Sequence, residues 1–326
     1  MCQVKIKNIE IHLQTCANRA RVRSKMHIYL QLVLTLIAGL AFNLNRKYFT
    51  VRSRKGLAGR AVFSAICAMV AAVVLLVWGG FGHASTFTLL LGILFGTVTA
   101  IQSIANISAV SCGPMSYTTI ITSFSVLISA LSGMLFFGED KLEIIQIIGV
   151  VLMLTSIALS AKGKGEDEKV NFKWLILAFT AFLLTGAIGI MQKIHQTSEY
   201  KSEINAFLII AFVVSALIST AFALIKLKKT QNADTLAYNA EEKKTKYILF
   251  AIVIVGGICT AANNKFNLFL SGALPTAIFF PVYNVGILIL TTLSAIVIFK
   301  ERLSLKQWIG VVIGIISVIC IRNPFA

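Results

Sequence analysis

Ten apolar runs, separated by short clusters of charge, constrain this chain more than any other feature. They lie near 26–44, 61–79, 87–109, 115–137, 144–161, 174–192, 204–225, 247–270, 276–299 and 305–321. A helix needs about 20 mostly apolar residues to cross a bilayer. The runs are continuously apolar, whereas the strands of a membrane barrel alternate, so helices are predicted. None of the 13 Asp and Glu residues falls inside a run. Hydrophobic residues make up 57% of the 326 and charged residues 13%, against roughly 25% charged in a soluble domain. A water-soluble globule could not hide that much apolar surface. The fold class read here is an all-α integral membrane protein with ten transmembrane helices, placed in the cell membrane with the lipid bilayer as a partner.

The 30 Lys and Arg residues give a net charge of +17. They flank the apolar runs, where lipid headgroups and the positive-inside rule account for them, and no nucleic acid partner is needed. Cys67, Cys112, Cys259 and Cys320 fall in apolar stretches, and no pair has metal-ligand spacing, so they read as packing residues. Residues 1–25 are basic and lack the apolar core of a signal peptide. They read as an extension upstream of a start at Met26, or else as a basic tail lying on anionic lipid. A polar linker at 162–173 divides the chain into 26–161 and 174–326.

Those two parts repeat each other. Shifting 95–158 by 161 positions without a gap lays Gly96 on Gly257, Thr99 on Thr260, Asn106 on Asn267, Pro114 on Pro275, Gln146 on Gln307 and Gly149 on Gly310. Five helices per copy is an odd number, so the second copy enters the membrane from the opposite side. Two inverted five-helix repeats are the architecture of secondary transporters, with a site between the halves. The plainer reading is a duplicated helical scaffold.

The segments FFGEDKLEIIQIIGVVLMLTSI (136–157) and VIFKERLSLKQWIGVVIGIISV (297–318) resemble the repeated motif of the drug/metabolite transporter superfamily, specifically its ten-helix EamA-like permeases. Glu301, Arg302, Leu303, Gln307 and Gly310 match that motif, and the first copy follows it with Asp140, Lys141, Leu142, Gln146 and Gly149. The resemblance spans about 26–322. It implies a transporter fold, export as the direction, and termini in the cytoplasm. It is specific for the superfamily and not for a cargo. Physically the turn is structural: its charges prefer water, and Gly149 and Gly310 permit close helix approach.

Polar side chains inside the runs are the site candidates, because they are costly in lipid. Asn263, Asn264, Lys265 and Asn267 cluster in the eighth run, with Gln102, Ser103 and Asn106 at the repeat-equivalent places in the third. Asn263 and Asn267 share a helix face, as do Gln102 and Asn106. Amides donate and accept, which suits the polar groups of a small metabolite. Lys265 either faces a cavity and pairs with an anionic group or snorkels to the interface. In the ninth run Pro281 is expected to kink the helix and act as a hinge, with Tyr283 and Asn284 just beyond it. Asn43, beside Asn45, lies near the end of the first run, and Lys47 and Lys193 read as interfacial anchors. His195 is expected to be solvated.

No Asp or Glu within a run means no carboxylate for proton-driven export of cationic drugs, the route of the small multidrug-resistance relatives that the resemblance brings in. Walker, HExxH and GxSxG patterns are missing from the sequence, which speaks against an enzyme, an ATP-driven pump or a bound cofactor. The function read here is a secondary permease moving a small polar metabolite, such as an amino acid or related compound, by alternating access. The alternative is a membrane scaffold or sensor with a transporter-like fold.

Orientation sets two expectations against each other. Most basic residues lie in 46–60, 162–173, 226–246 and 300–306, all on the face away from the termini. The positive-inside rule therefore places the termini outside, whereas the resemblance implies cytoplasmic termini. With Lys55→Cys as the sole cysteine, an impermeant thiol reagent added outside intact cells is expected to leave it unlabelled. Labelling from outside reverses the charge-based orientation.

Overall fold

The computed structural model describes residues 26–46, 48–49, 56–112, 118, 121–138, 143–160, 172–231, 240–299 and 305–322. The N-terminal extension, Lys47, most of the 162–173 linker, and the motif residues Asp140, Lys141, Leu142, Glu301, Arg302 and Leu303 lie outside them. Ten helices dominate the described residues. They are α1 (Met26–Arg46), α2 (Gly56–Gly79), α3 (Thr86–Cys112), α4 (Ser125–Phe136), α5 (Ile144–Ser160), α6 (Phe172–Thr197), α7 (Ile204–Gln231), α8 (Ala240–Ala273), α9 (Thr276–Phe299) and α10 (Leu305–Arg322). Six of them, α1–α3 and α6–α8, are long and apolar enough to cross a membrane. Large apolar side chains stand exposed on the shorter helices as well, as with Ile147, Ile148 and Val151 on α5 and Ile309, Val312 and Ile316 on α10. Such faces are at home only against lipid.

Local chemistry sets the helix ends. Gly80, at φ +68°, closes α2, and its N–H returns to Leu76 O at 2.9 Å, a left-handed cap that disfavours side chains with a Cβ. Ser85 caps α3, its Oγ accepting from the Thr88 N–H at 3.2 Å. Gln146, part of the repeated motif, reaches back to accept the Glu143 N–H at 3.1 Å, half of a capping box. Its role there is structural. Pro275 opens α9, its carbonyl accepting from Ile278 N at 3.0 Å and Phe279 N at 2.9 Å.

Helices from the two parts of the chain pack on one another: α2 against α7 and α8, α3 against α6 and α7, α4 against α9, and α5 against α10. Lipid tails are as apolar as leucine, so helix association in a membrane depends on close packing and small residues. Gly96 on α3 sits where a Cβ would collide with the backbone carbonyl of Ala211 on α7. Its repeat equivalent Gly257 on α8 does the same on α2, where a Cβ would lie 3.1 Å from Cys67 O and 2.5 Å from Val70 Cβ. Between α5 and α10, Ser156 Oγ donates to Gly310 O at 2.6 Å. Around these contacts Leu75, Phe95, Phe207, Leu208 and Leu268 are almost fully buried in one core.

At one end of the bundle a carboxylate ties the α2–α3 loop to the α6–α7 loop. Glu203 Oε2 accepts from Ser85 N at 3.0 Å and from Ser85 Oγ at 2.9 Å, while His83 Nδ1 lies 3.1 Å from Oε1. Nearby, Phe87 stacks on Tyr200 with ring centroids 5.6 Å apart. A carboxylate at the N-terminus of α3 also complements the helix dipole. The Thr88 side chain foremost, then Ser85 N–H and the His83 and Ser85 side chains, hold the Glu203 carboxyl down to about 2 against the opposing effect of desolvation. The folded value lies below the ordinary one of 4.5, so the stabilisation is full above that pH and fades as pH falls toward about 2. Glu203→Gln is therefore expected to lower the unfolding temperature at pH 7, with the gap from wild type closing in acid. A gap that is constant between pH 7 and pH 3 would contradict this.

Candidate functional site

The polar centre of the bundle lies where α8 and α9 face α1. The Tyr283 hydroxyl on α9 donates to Asn263 Oδ1 on α8 at 2.9 Å. Asn267 lies one turn further along α8. The residue is 8% exposed, and Oδ1 is buried without a partner. A buried unpaired polar atom costs about 1–3 kcal/mol.

Gly39 on α1 lets this cluster form. A Cβ there would lie 2.9 Å from Tyr283 Oη and 3.2 Å from Asn263 Oδ1. The aromatic wall is Phe279, Phe280 and Tyr283, with Phe279 stacked on Tyr283 at 6.0 Å. Pro281 is buried inside α9 two residues before Tyr283.

The other expected site residues lie elsewhere. Asn264 donates to Thr260 O at 2.9 Å and Asn284 to Phe280 O at 2.8 Å, each within its own helix. Lys265 turns to α2, its Nζ 4.5 Å from the centre of the Trp78 ring, near the end of that helix. This cation–π contact beside an interfacial tryptophan fits the snorkelling alternative. Gln102 on α3 donates to Thr185 Oγ1 on α6 at 2.9 Å, and Asn106 is half-buried one turn further on. Asn43 is half-buried near the far end of α1, where Asn45 donates to Ala41 O at 2.7 Å.

Two expectations fail at the end of α6. His195 is fully buried, its ring stacked at 4.3 Å on Phe207, in the first turn of α7. Lys193 is buried as well, and its Nζ meets Leu274 O at 3.5 Å, where α8 ends. A lysine on terminal carbonyls complements the negative end of the helix dipole. Sequence reasoning also passed over Gln31 on α1, whose Oε1 is buried without a partner, like Asn205 Oδ1, Thr99 Oγ1 and His195 Nε2. A glutamine five residues into the first apolar run is the signal for the first of these.

Apolar helices with lipid-facing sides, enclosing amides and hydroxyls, make this a multi-pass integral membrane protein. Residues 172–323 match the EamA-like transporter family. The chain is 26% identical over 244 residues to an uncharacterized protein of Haemophilus influenzae, covering 73% of this chain and 75% of the relative. It is 25% identical over 211 residues to the probable magnesium transporter NIPA2 of Arabidopsis thaliana. That match spans 63% of this chain and 62% of the relative. A protein of known crystal structure superposes with a TM-score of 0.66 over 90% of this chain and 96% of its own, at 11% identity, and so shares the fold.

Proposed function

We propose that this chain is a secondary permease that moves a small polar metabolite, such as an amino acid or related compound, by alternating access between two inverted five-helix repeats, 26–161 and 174–326. Export as the direction comes from the family resemblance. The reading rests on the repeat-equivalent amides Gln102 and Asn263. Each faces the first helix of the other half: Gln102 bonds Thr185 on α6, and Asn263 sits against Gly39 on α1. Each lies about 15 Å from the C-terminal end of its own helix, at 1.5 Å per residue. In inverted halves those ends point to opposite faces, and about 15 Å from either face of a roughly 30 Å core is its middle, so the two amides meet near the midplane, one from each half. The matching roles of Gly96 and Gly257 support the same symmetry. Asn263, Asn267 and Tyr283 are the proposed substrate contacts, and Pro281 is the proposed hinge.

Mg²⁺ is a second candidate cargo, on the ground that one relative is described as a probable magnesium transporter. The test is thermal stabilisation of the purified protein against a metabolite library and MgCl₂, followed by flux of each stabilising compound in proteoliposomes. The permease reading predicts flux for at least one of them. Binding without flux would favour a scaffold or sensor.

A further inference from the structure

The ammonium of Lys265 has no anionic partner in the protein around it. Its Nζ lies 4.5 Å from the centre of the Trp78 ring, and among the described residues it makes no hydrogen bond or ion pair. A ring face attracts a cation, but it leaves three N–H donors without an acceptor.

That ammonium stands on the outside of the bundle. The helices α2 and α8 run side by side in the same direction: Phe63 and Cys67 meet Gly256, and Val70 meets Gly257. Further along, Trp78 meets Phe266 edge to face at 5.8 Å. Trp78 is exposed one residue before the end of α2, the place of an interfacial tryptophan. Lys265 leaves α8 eight residues before that helix ends, about 12 Å, and its side chain rises to the indole. Below it, Val255, Ile258 and Ala262 follow at spacings of four and three, on one face of α8 that Lys265 and Phe266 continue. Val255 and Ile258 are exposed, so this face lies against acyl chains. It leads from the apolar part of the bilayer to an unmet cation beside a tryptophan.

We propose that the α2–α8 surface binds an anionic phospholipid, its phosphate oxygens accepting from Lys265 Nζ beside Trp78 and an acyl chain lying along Ala262, Ile258 and Val255. Basic side chains at the membrane surface attract anionic headgroups, and a phosphate supplies the acceptors that the protein lacks. In a zwitterionic lipid the choline cation repels the ammonium that the phosphate attracts, so net negative charge is favoured. Trp78 belongs to the first part of the chain and Lys265 to the second, so the lipid is held across the seam between them. Asn263 and Tyr283 take no part, and the inference does not depend on the permease reading.

The test uses the purified full-length protein in detergent. Phosphatidylglycerol, phosphatidylcholine with the same acyl chains, and glycerol 3-phosphate are titrated separately while the unfolding temperature is followed. Phosphatidylglycerol is expected to stabilise saturably, with a midpoint about tenfold lower than that of phosphatidylcholine. Glycerol 3-phosphate, which has the phosphate without the chains, should not stabilise. Lys265→Gln should raise the phosphatidylglycerol midpoint to that of phosphatidylcholine, and Lys265→Arg should keep it low. Lys201→Gln removes the same charge from an exposed position in the α6–α7 turn, on the same side of the membrane, and should leave the midpoint unchanged. The wild-type comparison of the two lipids stands even if the glutamine variant does not fold. Equal midpoints for the two lipids, an unchanged phosphatidylglycerol midpoint in Lys265→Gln, or an equal loss in Lys201→Gln would each overturn the proposal. Stabilisation by glycerol 3-phosphate that matches phosphatidylglycerol would mean a site for free phosphate and overturn it as well.

Discussion

Gly96→Leu is expected to abolish the folded bundle. The Cβ alone would collide with the carbonyl of Ala211 on α7, and a backbone carbonyl inside a helix cannot turn aside. Overpacking a tight core costs about 1–3 kcal/mol or more, and here the whole leucine side chain must fit where α3 and α7 touch. The expected readout is loss of the monodisperse peak in detergent. Gly257→Leu should behave in the same way on the other side of the repeat, where Val70 and the Cys67 carbonyl stand in its path. Alanine should already be costly at both sites. At Gly257 the closest atom is the Val70 Cβ at 2.5 Å, which moves only with its backbone, so Gly257→Ala, like Gly96→Ala, should lower the unfolding temperature. Wild-type unfolding temperatures in both leucine variants would mean that the helices do not approach as described.

Tyr283→Phe is expected to give the largest loss of ligand affinity for the smallest change of shape. The ring stays against Phe279, and the packing of α9 is kept. What goes is the hydroxyl that donates to Asn263 across the α8–α9 interface. The freed Asn263 Oδ1 is left without its donor. A buried group stripped of its partner costs about 1–3 kcal/mol, roughly 5- to 150-fold in affinity. Asn263→Ala should weaken binding by a comparable factor. The double variant should cost little more than either alone, because the two groups act through one hydrogen bond. Additive losses would show that Tyr283 and Asn263 contact the ligand separately.

Much of this was legible in the sequence, for physical reasons that also mark where legibility stops. The helices could be placed because each apolar run ends in charge, glycine or proline, and lipid enforces that pattern everywhere. The repeat pointed to Gly96 and Gly257 because only glycine lets two backbones touch. The pairing of Asn263 with Tyr283 was half visible, since both were flagged as polar groups in apolar runs while nothing said that they meet. Lys265 shows the limit. It sits two residues from Asn263, yet its partner is Trp78, on a helix nearly 190 positions earlier. His195 and Glu203 fail to announce themselves for the same reason. Whether an imidazole or a carboxylate at a helix end meets water or protein depends on which loop folds over it.

Solute counterflow tests the central claim most directly. Proteoliposomes loaded with the unlabelled stabilising compound are diluted into trace label. A carrier that alternates its access drives label inward above its equilibrium level before it decays. Wild-type protein is predicted to give that transient overshoot, and Tyr283→Phe to lose it while remaining folded. Entry that rises to equilibrium without overshoot, or no entry at all with folded wild-type protein, would contradict alternating access in this chain.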